Sequence, residues 1–248
     1  MSMQRRSCSC SGFPSRRNFL GTSLGVAAAA IVGTAVTSEV AFAGSLSKAQ
    51  RDKMTPDQIL ALMKKGNKRF SSGRRNDHNY LAQQRASAAG QYPVAVLLSC
   101  IDSRAPAETI MDLRIGDIFN SRIAGNVESV DVLGSMEFAC KVAGSKLVLV
   151  MGHTACGAIK GAIDNAELGN LTALLAKIKP AVAATAYTGE RSSKNYAFVD
   201  AVARKNVELT LANIRSGSPV LAGMESSGTI KIVGAMYNLQ TGAIDFYA

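Results

Sequence analysis

The sequence predicts an α/β protein in which a central, mostly parallel β-sheet is flanked by helices. Two short apolar runs, 94–98 and 146–151, have the composition of strands that are covered on both faces. Helical patterns alternate with these runs along the chain, which is typical of a parallel sheet. A helical arm precedes the sheet. The runs from Ile230 to Asn238 and from Ala243 to Tyr247 flank Gln240-Thr241-Gly242 and predict a C-terminal strand pair.

The composition indicates a globular protein and argues against a nucleic-acid partner. With 248 residues, the chain can bury a full hydrophobic core in one or two domains. Charged residues make up 19% and hydrophobic residues 47%, which excludes a disordered, highly charged polymer. The formal charge is +10, but the basic residues are scattered rather than gathered into long runs. We therefore expect no nucleic-acid binding.

The first 43 residues predict a signal peptide. Two arginine pairs precede an uncharged stretch from Asn18 to Ser38. The segment Ser15-Arg16-Arg17-Asn18-Phe19-Leu20 is similar to the twin-arginine export signal. The small residues of Ala41-Phe42-Ala43 predict cleavage after that tripeptide, which leaves one α/β domain over residues 44–248. An uncleaved membrane anchor is the alternative, although a stretch rich in Ala, Gly and Thr gains little free energy by entering a membrane.

This signal predicts the twin-arginine translocase as a partner during export and the periplasm as the destination. Cleavage removes Cys8 and Cys10 and leaves three cysteines in the mature chain. An odd number of cysteines is a poor match to a disulfide framework, even in an oxidising compartment. We therefore expect another role for them.

The arm before the sheet is predicted as two helices. Thr55 can cap the first, Pro56 suits its first position, and Gln58 can complete a capping box. The second helix is expected over Leu81 to Ala89. Four apolar residues share a face of the first helix before it ends at Gly73: Ile59, Leu62, Met63 and Phe70.

Between and after the two strong strands, the pattern is mainly helical. A weaker strand is expected at Ile118 to Ile123, followed by a helix from about Val127 to Gly144. After Gly157 the chain is predicted as helical through Ile178, broken at Pro180, and helical again over residues 195–215. The helix after Val127 is expected to bury Val130, Leu133, Met136 and Cys140.

Chemically reactive residues follow both strong strands, where function collects in an open parallel sheet. Cys100 follows the first run, and His153 and Cys156 follow the second. Two thiolates and one imidazole are the ligands expected for a catalytic zinc with an open fourth position. Taken singly, each cysteine could be a buried apolar thiol and the histidine a hydrogen-bonded core residue. These roles do not account for the fact that all three residues follow buried strands. Cys140, on a helix face, is expected to be a packing residue. His78 is expected to be a surface or interface loop residue, with proton transfer or ligation at a second site as its alternative roles.

A carboxylate stands beside the predicted metal ligands. Asp102 and Arg104 lie on the turn that leaves Cys100. A guanidinium can hold the carboxylate away from the metal, so that it accepts a hydrogen bond from a zinc-bound hydroxide. A surface ion pair of little consequence is the alternative.

These elements resemble the β-class carbonic anhydrases, and the resemblance extends over about Thr55 to Ala248. The Cys-x-Asp-x-Arg and His-x-x-Cys motifs are similar to those of the family. Modest departures occur at Ile101, where a small polar residue is frequent, and at Ile123, where Asn is frequent. Four further segments have counterparts in the same order: 116–119, 122–126, 135–139 and 234–238.

The resemblance implies the reversible hydration of carbon dioxide to bicarbonate and a proton by hydroxide on the zinc. It assigns one Zn²⁺ per subunit to Cys100, His153 and Cys156, and the orientation of the hydroxide to Asp102 with Arg104. It also implies a homodimer or a dimer of dimers, with the arm from Thr55 to Gln91 packed across a neighbour. The implied substrate-binding residues are Gln91 for bicarbonate, Phe119, Ala124 and Phe138 for an apolar carbon dioxide pocket, and the N–H of Gly157.

Two alternative functions and one choice of subclass remain open at this level. The same site can serve hydrolysis of carbonyl sulfide or carbon disulfide, and a non-catalytic module stabilised by zinc is the alternative outside enzymology. In some members of the family the aspartate releases the arginine and binds zinc, and these members carry a tryptophan where this chain has Leu97. Arg122 matches an arginine of their regulatory site, but the chain contains no Trp. We expect Asp102 to stay paired with Arg104 and water to be the fourth zinc ligand.

Overall fold

The computed structural model describes residues 46–247, so the predicted signal peptide lies outside the described residues. The strands are β1 (Ala95–Ser99), β2 (Ile118–Arg122), β3 (Leu147–His153), β4 (Lys231–Tyr237) and β5 (Ile244–Tyr247). The helices are α1 (Lys48–Lys53), α2 (Pro56–Ser71), α3 (Tyr80–Ser87), α4 (Ala107–Ile110), α5 (Val130–Glu137), α6 (Gly157–Ile163), α7 (Gly169–Ala176), α8 (Lys179–Ala184), α9 (Tyr196–Gly217) and α10 (Pro219–Ser226).

The five strands form one sheet in the order β2-β1-β3-β4-β5. The pairings of β1 with β2, β1 with β3, and β3 with β4 are parallel, and β5 pairs antiparallel with β4. The predicted mostly parallel sheet and its C-terminal strand pair are confirmed. Every residue of β1 and β3 is buried, as their apolar composition predicts for central strands.

Helices cover both faces of the sheet because successive side chains of each strand point to opposite sides. Leu98 and Val150 face a core that includes Phe198 of α9. Leu97 and Leu149 face the opposite core, which includes Ile59 of α2. Burying one such side chain contributes about 1.5–3 kcal/mol. The two cores together fix the sheet whose carboxyl edge carries the reactive residues.

Helix α2 begins as its capping residues predict, and the shorter α1 precedes it. The Thr55 side chain accepts a hydrogen bond from the N–H of Gln58, whose side chain accepts one from the N–H of Thr55. His78 lies in the loop between α2 and α3, as expected, but its side chain is only 5% exposed and its Nε2 contacts Oδ1 of Asp112 at 2.7 Å. Sequence spacing does not reveal this contact, because the carboxylate stands 34 residues later along the chain.

Three further details differ from the predictions or refine them. Helix α5 starts at Val130 with Ser129 as its cap, and Val130 is 84% exposed rather than buried. Pro180 occupies the first turn of α8, where its missing N–H costs nothing, and so starts a helix. Cys140 is buried in the core, as expected, and burial raises the pKa of its thiol to about 12.

Within residues 46–247, no helix combines the length and the apolar character needed to cross a membrane.

Candidate metal centre

The carboxyl ends of β1 and β3 bring Cys100, His153 and Cys156 together. Cys100 directly follows β1, His153 is the last residue of β3, and Cys156 is the N-cap residue of α6. Their candidate ligand atoms all lie within 4.8 Å of one another, and the two Sγ atoms are 4.0 Å apart. All three side chains are buried. This arrangement follows from the parallel pairing of β1 with β3, which places their carboxyl ends at one edge of the sheet.

The histidine has one nitrogen available for a metal. The Nδ1 atom of His153 lies 2.9 Å from the carbonyl oxygen of Thr154, so Nδ1 carries the proton and donates. Its Nε2 is buried and has no hydrogen-bond partner among the described residues. A buried polar atom without a partner is costly unless something binds it. Two thiols and this nitrogen form a donor set that suits zinc, and leave a fourth position open.

The electrostatics of the cluster favour a cation. The hydrogen bond from Cys156 lowers the pKa of the Cys100 thiol to about 4, against the opposing effect of burial. The same bond and burial raise the pKa of Cys156. Burial lowers the pKa of His153, but Cys100, the carbonyl of Thr154 and Asp102 together outweigh it and leave that pKa raised. One thiolate therefore forms readily here, and a second needs a positive charge beside it.

Asp102 faces the cluster but is held by Arg104. The guanidinium donates from Nε to Oδ1 at 2.9 Å and from Nη2 to Oδ2 at 2.7 Å. The Arg104 backbone N–H also donates to Oδ1 at 2.9 Å. The hydrogen bond from Arg104 lowers the pKa of Asp102 to about 2. Asp102 Oδ2 lies 3.8 Å from Nε2 of His153, so an ionised carboxylate stands beside the metal ligands.

Arg122 fixes the backbone of the loop that carries Cys100 and Asp102. Its Nε donates to the carbonyl oxygen of Cys100 at 3.0 Å, and its Nη2 donates to that of Asp102 at 2.5 Å. The side chain thus crosses from β2 to the loop after β1. With both carbonyls occupied, the loop holds the thiol and the carboxylate at a fixed separation.

Two of the five predicted substrate-binding residues lie next to the ligands. Gly157 follows Cys156 and opens α6. Ala124 opens the short 3₁₀ turn Ala124–Asn126, in which the N–H of Gly125 points to the sulfur of Cys100.

The other three predicted substrate-binding residues lie away from the ligands of their own chain. The rings of Phe119 and Phe138 meet edge to face, with centroids 6.1 Å apart. They line a groove of about 710 Å³ along β2 and α5, and no metal ligand borders it. Gln91 is exposed and precedes β1, so it lies at the opposite end of that strand from Cys100.

Two residues of α9 that no sequence pattern indicates contact loops beside the metal ligands. Asp200 accepts a hydrogen bond from the N–H of Ala155, and Asn206 donates one to the carbonyl of Gly125. They belong to no local motif. The available signal is that Asn206 is a polar residue on the buried face of α9, a face formed mainly by apolar residues.

Comparison with known proteins identifies the family. The family model for carbonic anhydrases matches residues 95–244. Carbonic anhydrase 2 of Mycobacterium tuberculosis is 36% identical over 182 residues, which cover 73% of this chain and 87% of that protein. The chain belongs to the carbonic anhydrase family. The carbonic anhydrase of Mycolicibacterium smegmatis is 33% identical over 189 residues, covering 74% of this chain and 89% of that enzyme.

Solved structures identify the β class of carbonic anhydrases. A β-carbonic anhydrase of Aspergillus fumigatus superposes with a TM-score of 0.59 at 26% identity, covering 77% of this chain and 89% of that one. A tetrameric β-carbonic anhydrase of Sordaria macrospora superposes with a TM-score of 0.57 at 25% identity. The match covers 64% of this chain and 82% of that one. Carbon dioxide hydration is therefore favoured over the two alternative functions, and zinc is the metal of this carbonic anhydrase.

Proposed function

We propose that this chain hydrates carbon dioxide reversibly at a zinc held by Cys100, His153 and Cys156, with Asp102 and Arg104 as the catalytic pair. One observation carries the assignment of the residues: an ionised carboxylate, fixed by two guanidinium bonds, faces a buried Cys-His-Cys cluster. A purely structural zinc site has no use for that pair.

The catalytic pair has a distinct part in the reaction. A zinc ion held by Cys100, His153 and Cys156 would lower the pKa of bound water to near neutrality and so would supply a nucleophile at physiological pH. Asp102, with its pKa lowered to about 2, stays ionised and can only accept hydrogen bonds. It therefore orients the nucleophile through the proton that the nucleophile retains. Arg104 keeps the carboxylate from moving onto the metal.

The substrate pocket is completed by a second copy of the chain. Phe119 and Phe138 line an exposed groove beside the edge strand β2, which another subunit can cover, and Gln91 is exposed before β1. The exposed Val130 and Phe138 make this surface apolar. A homodimer that joins these surfaces, or a dimer of such dimers, brings Gln91 and the two phenylalanines of one subunit to the metal of the other. Ala124 and the N–H of Gly157 complete the pocket from the metal-bearing subunit.

The substrate is tested by comparing three reactions on the mature, zinc-loaded protein. We expect rapid hydration of carbon dioxide in stopped-flow assays and slow or absent hydrolysis of carbonyl sulfide and carbon disulfide. Cys156→Ala provides the background for each reaction. Faster turnover of either sulfur compound than of carbon dioxide would reassign the substrate and leave the metal site in place.

We also propose export by the twin-arginine route with cleavage after Ala43, which delivers the folded, metal-loaded protein to the periplasm. Support comes from the sequence of the first 43 residues, and from ligands that as free thiols are prone to oxidation. The double variant Arg16→Lys with Arg17→Lys should retain the precursor inside the cell, which cell fractionation and immunoblotting would detect. Replacing Arg5→Lys together with Arg6→Lys is the matched control and should leave export intact. Periplasmic delivery of the first double variant at the normal level would refute this route.

A further inference from the structure

Helix α9 reaches the sulfur of Cys100 through an intermediate glycine. Asn206 is buried, and its Nδ2 donates to the carbonyl oxygen of Gly125 at 2.7 Å. The N–H of the same glycine lies 3.4 Å from Sγ of Cys100, within the distance of a hydrogen bond to sulfur. Asn206 therefore holds the residue that donates to a metal ligand, without contacting that ligand itself.

The position of Gly125 depends on this contact, because its local conformation is restricted. Its φ is +69°, a region that side chains disfavour, and a Cβ at this position would lie 2.5 Å from Cδ1 of Ile178. Glycine removes the clash but leaves the backbone more freedom than any other residue. The bond from Asn206 supplies the restraint that a side chain cannot.

The same helix reaches the loop between the other two ligands. Asp200 Oδ1 accepts a hydrogen bond from the N–H of Ala155 at 2.8 Å. Ala155 stands between His153 and Cys156 and has a φ of +54°, which is unfavourable for a residue with a side chain. Such a conformation persists only where surrounding groups hold it, and the Asp200 carboxylate is one such group.

We infer that Asp200 and Asn206 are positioning residues of the metal centre, which set the ligand geometry from α9. Neither side chain contacts a ligand atom. Asp200 fixes the loop that separates His153 from Cys156, and Asn206 fixes the N–H that is directed at Cys100. This inference rests on the metal site proposed above, and assigns the orientation of its three ligands to one helix.

The test uses cobalt(II) as a probe on the metal-free mature protein, because thiolate-to-cobalt absorption reports the ligand set independently of activity. We expect Asn206→Leu and Asp200→Ala each to lower the cobalt affinity by about 10- to 100-fold, the usual effect of losing a group that orients a ligand. The absorption of the cobalt complex should also change in shape, since the ligand angles change.

Matched variants separate positioning from general stability. Thr210→Val removes a hydrogen bond from another buried residue of α9, the 3.4 Å contact from Oγ1 to the carbonyl of Asn126, next to Gly125. It should leave the affinity within about threefold of the parent value and the spectrum unchanged. Asp200→Asn retains an acceptor oxygen for the N–H of Ala155 and should restore the parent affinity.

Several results would overturn the inference. One is an unchanged cobalt affinity and spectrum in both Asn206→Leu and Asp200→Ala, and another is an equal loss in Thr210→Val. A third is failure of Asp200→Asn to restore binding, because the charge rather than the hydrogen bond would then matter. If Asn206→Leu does not fold, the half-buried Asp200 and its two variants decide the question. Failure of the unmodified protein to bind cobalt would instead refute the metal site itself.

Discussion

Asp102 shows at the scale of single residues how one guanidinium decides between two roles for a carboxylate. Its Oδ2 lies 3.8 Å from Nε2 of His153, the nitrogen that would bind the metal. Both carboxylate oxygens accept hydrogen bonds from Arg104. Moving onto the metal would break these bonds and leave a guanidinium without its counter-charge, so we expect Asp102 to stay paired when zinc is bound.

Arg104→Ala is predicted to inactivate the enzyme without removing its zinc. Without the arginine, an ionised carboxylate gains more by binding the metal than by contacting solvent, and so closes the open position. We expect carbon dioxide hydration to fall about tenfold or more at neutral pH while one zinc per subunit remains. Stopped-flow assays and metal analysis check the two parts.

Arg204→Ala is the control for this prediction. Arg204 also pairs with a single carboxylate, Asp245, but that pair is exposed at the surface. Its loss should leave the rate unchanged, since exposed pairs contribute little. An Arg104→Ala enzyme as fast as Arg204→Ala would show that the pairing of Asp102 is not needed.

The sequence predicts the metal ligands better than the residues that support them. Cys100 and His153 are predictable because each follows or ends a buried strand, and the parallel arrangement brings strand ends together. Asp200 and Asn206 contact loops more than 40 residues away along the chain. No spacing rule relates such positions, so only the packed structure reveals them.

At the scale of elements, Asp112 links the N-terminal arm to the core through hydrogen bonds and ion pairs. Its side chain is fully buried and receives hydrogen bonds from Arg69 and Asn76 and a contact from His78, with Arg75 3.6 Å away. Arg69 lies in the last turn of α2 and the other three residues follow that helix, whereas Asp112 belongs to the loop after α4. The pKa of Asp112 is lowered, because His78 and Arg69 outweigh the effect of burial.

Asp112→Asn is predicted to destabilise the protein by roughly 3 kcal/mol at neutral pH, since one partner of a buried ionic cluster is lost. A carboxyl with a lowered pKa contributes stability above its unfolded pKa, near 3.9, and loses it as pH falls through the folded pKa. The difference in the free energy of unfolding between variant and parent should therefore become smaller below about pH 4. Urea unfolding from pH 3 to 7 measures it, and a gap that does not change with pH would contradict the ionic role.

Helix α5 shows why apolar spacing predicts elements more reliably than their surroundings. Val130 and Met136 lie about 120° apart around the helix axis, at the two edges of a broad apolar face, and only Met136 is buried in the core. Spacing cannot distinguish a face that packs on the sheet from one that is kept for another subunit, because both are apolar. Strands β1 and β3 do not pose this difficulty, since both of their faces are buried.

At the scale of the whole molecule, the site is predicted to need two subunits. Val130→Lys introduces a charge on the exposed groove and should disrupt the dimer, which lowers both the mass in analytical ultracentrifugation and the rate. Leu168→Lys alters another exposed apolar residue, one that does not line the groove, and should change neither. If Val130→Lys is monomeric and still fully active, the whole site lies within one chain.

Mixing two inactive subunits tests the exchange of residues directly. Gln91→Ala retains the metal ligands, and Cys156→Ala retains the glutamine. A mixed dimer contains one site with both, so co-refolded subunits should recover part of the rate that each variant lacks. Recovery no greater than the sum of the separate variants would show that Gln91 does not act across subunits.

We expect Cys100, His153 and Cys156 to hold one zinc that is required for carbon dioxide hydration. The most direct measurement is zinc content together with stopped-flow hydration for the mature protein, Cys156→Ala and Cys140→Ala. Cys140 is also a buried cysteine but lies outside the cluster, so its variant controls for the loss of a thiol. We predict one zinc per subunit and rapid hydration in the parent protein and in Cys140→Ala, and neither in Cys156→Ala. Full zinc content in Cys156→Ala, or a zinc-loaded parent protein that does not hydrate carbon dioxide, would contradict the account.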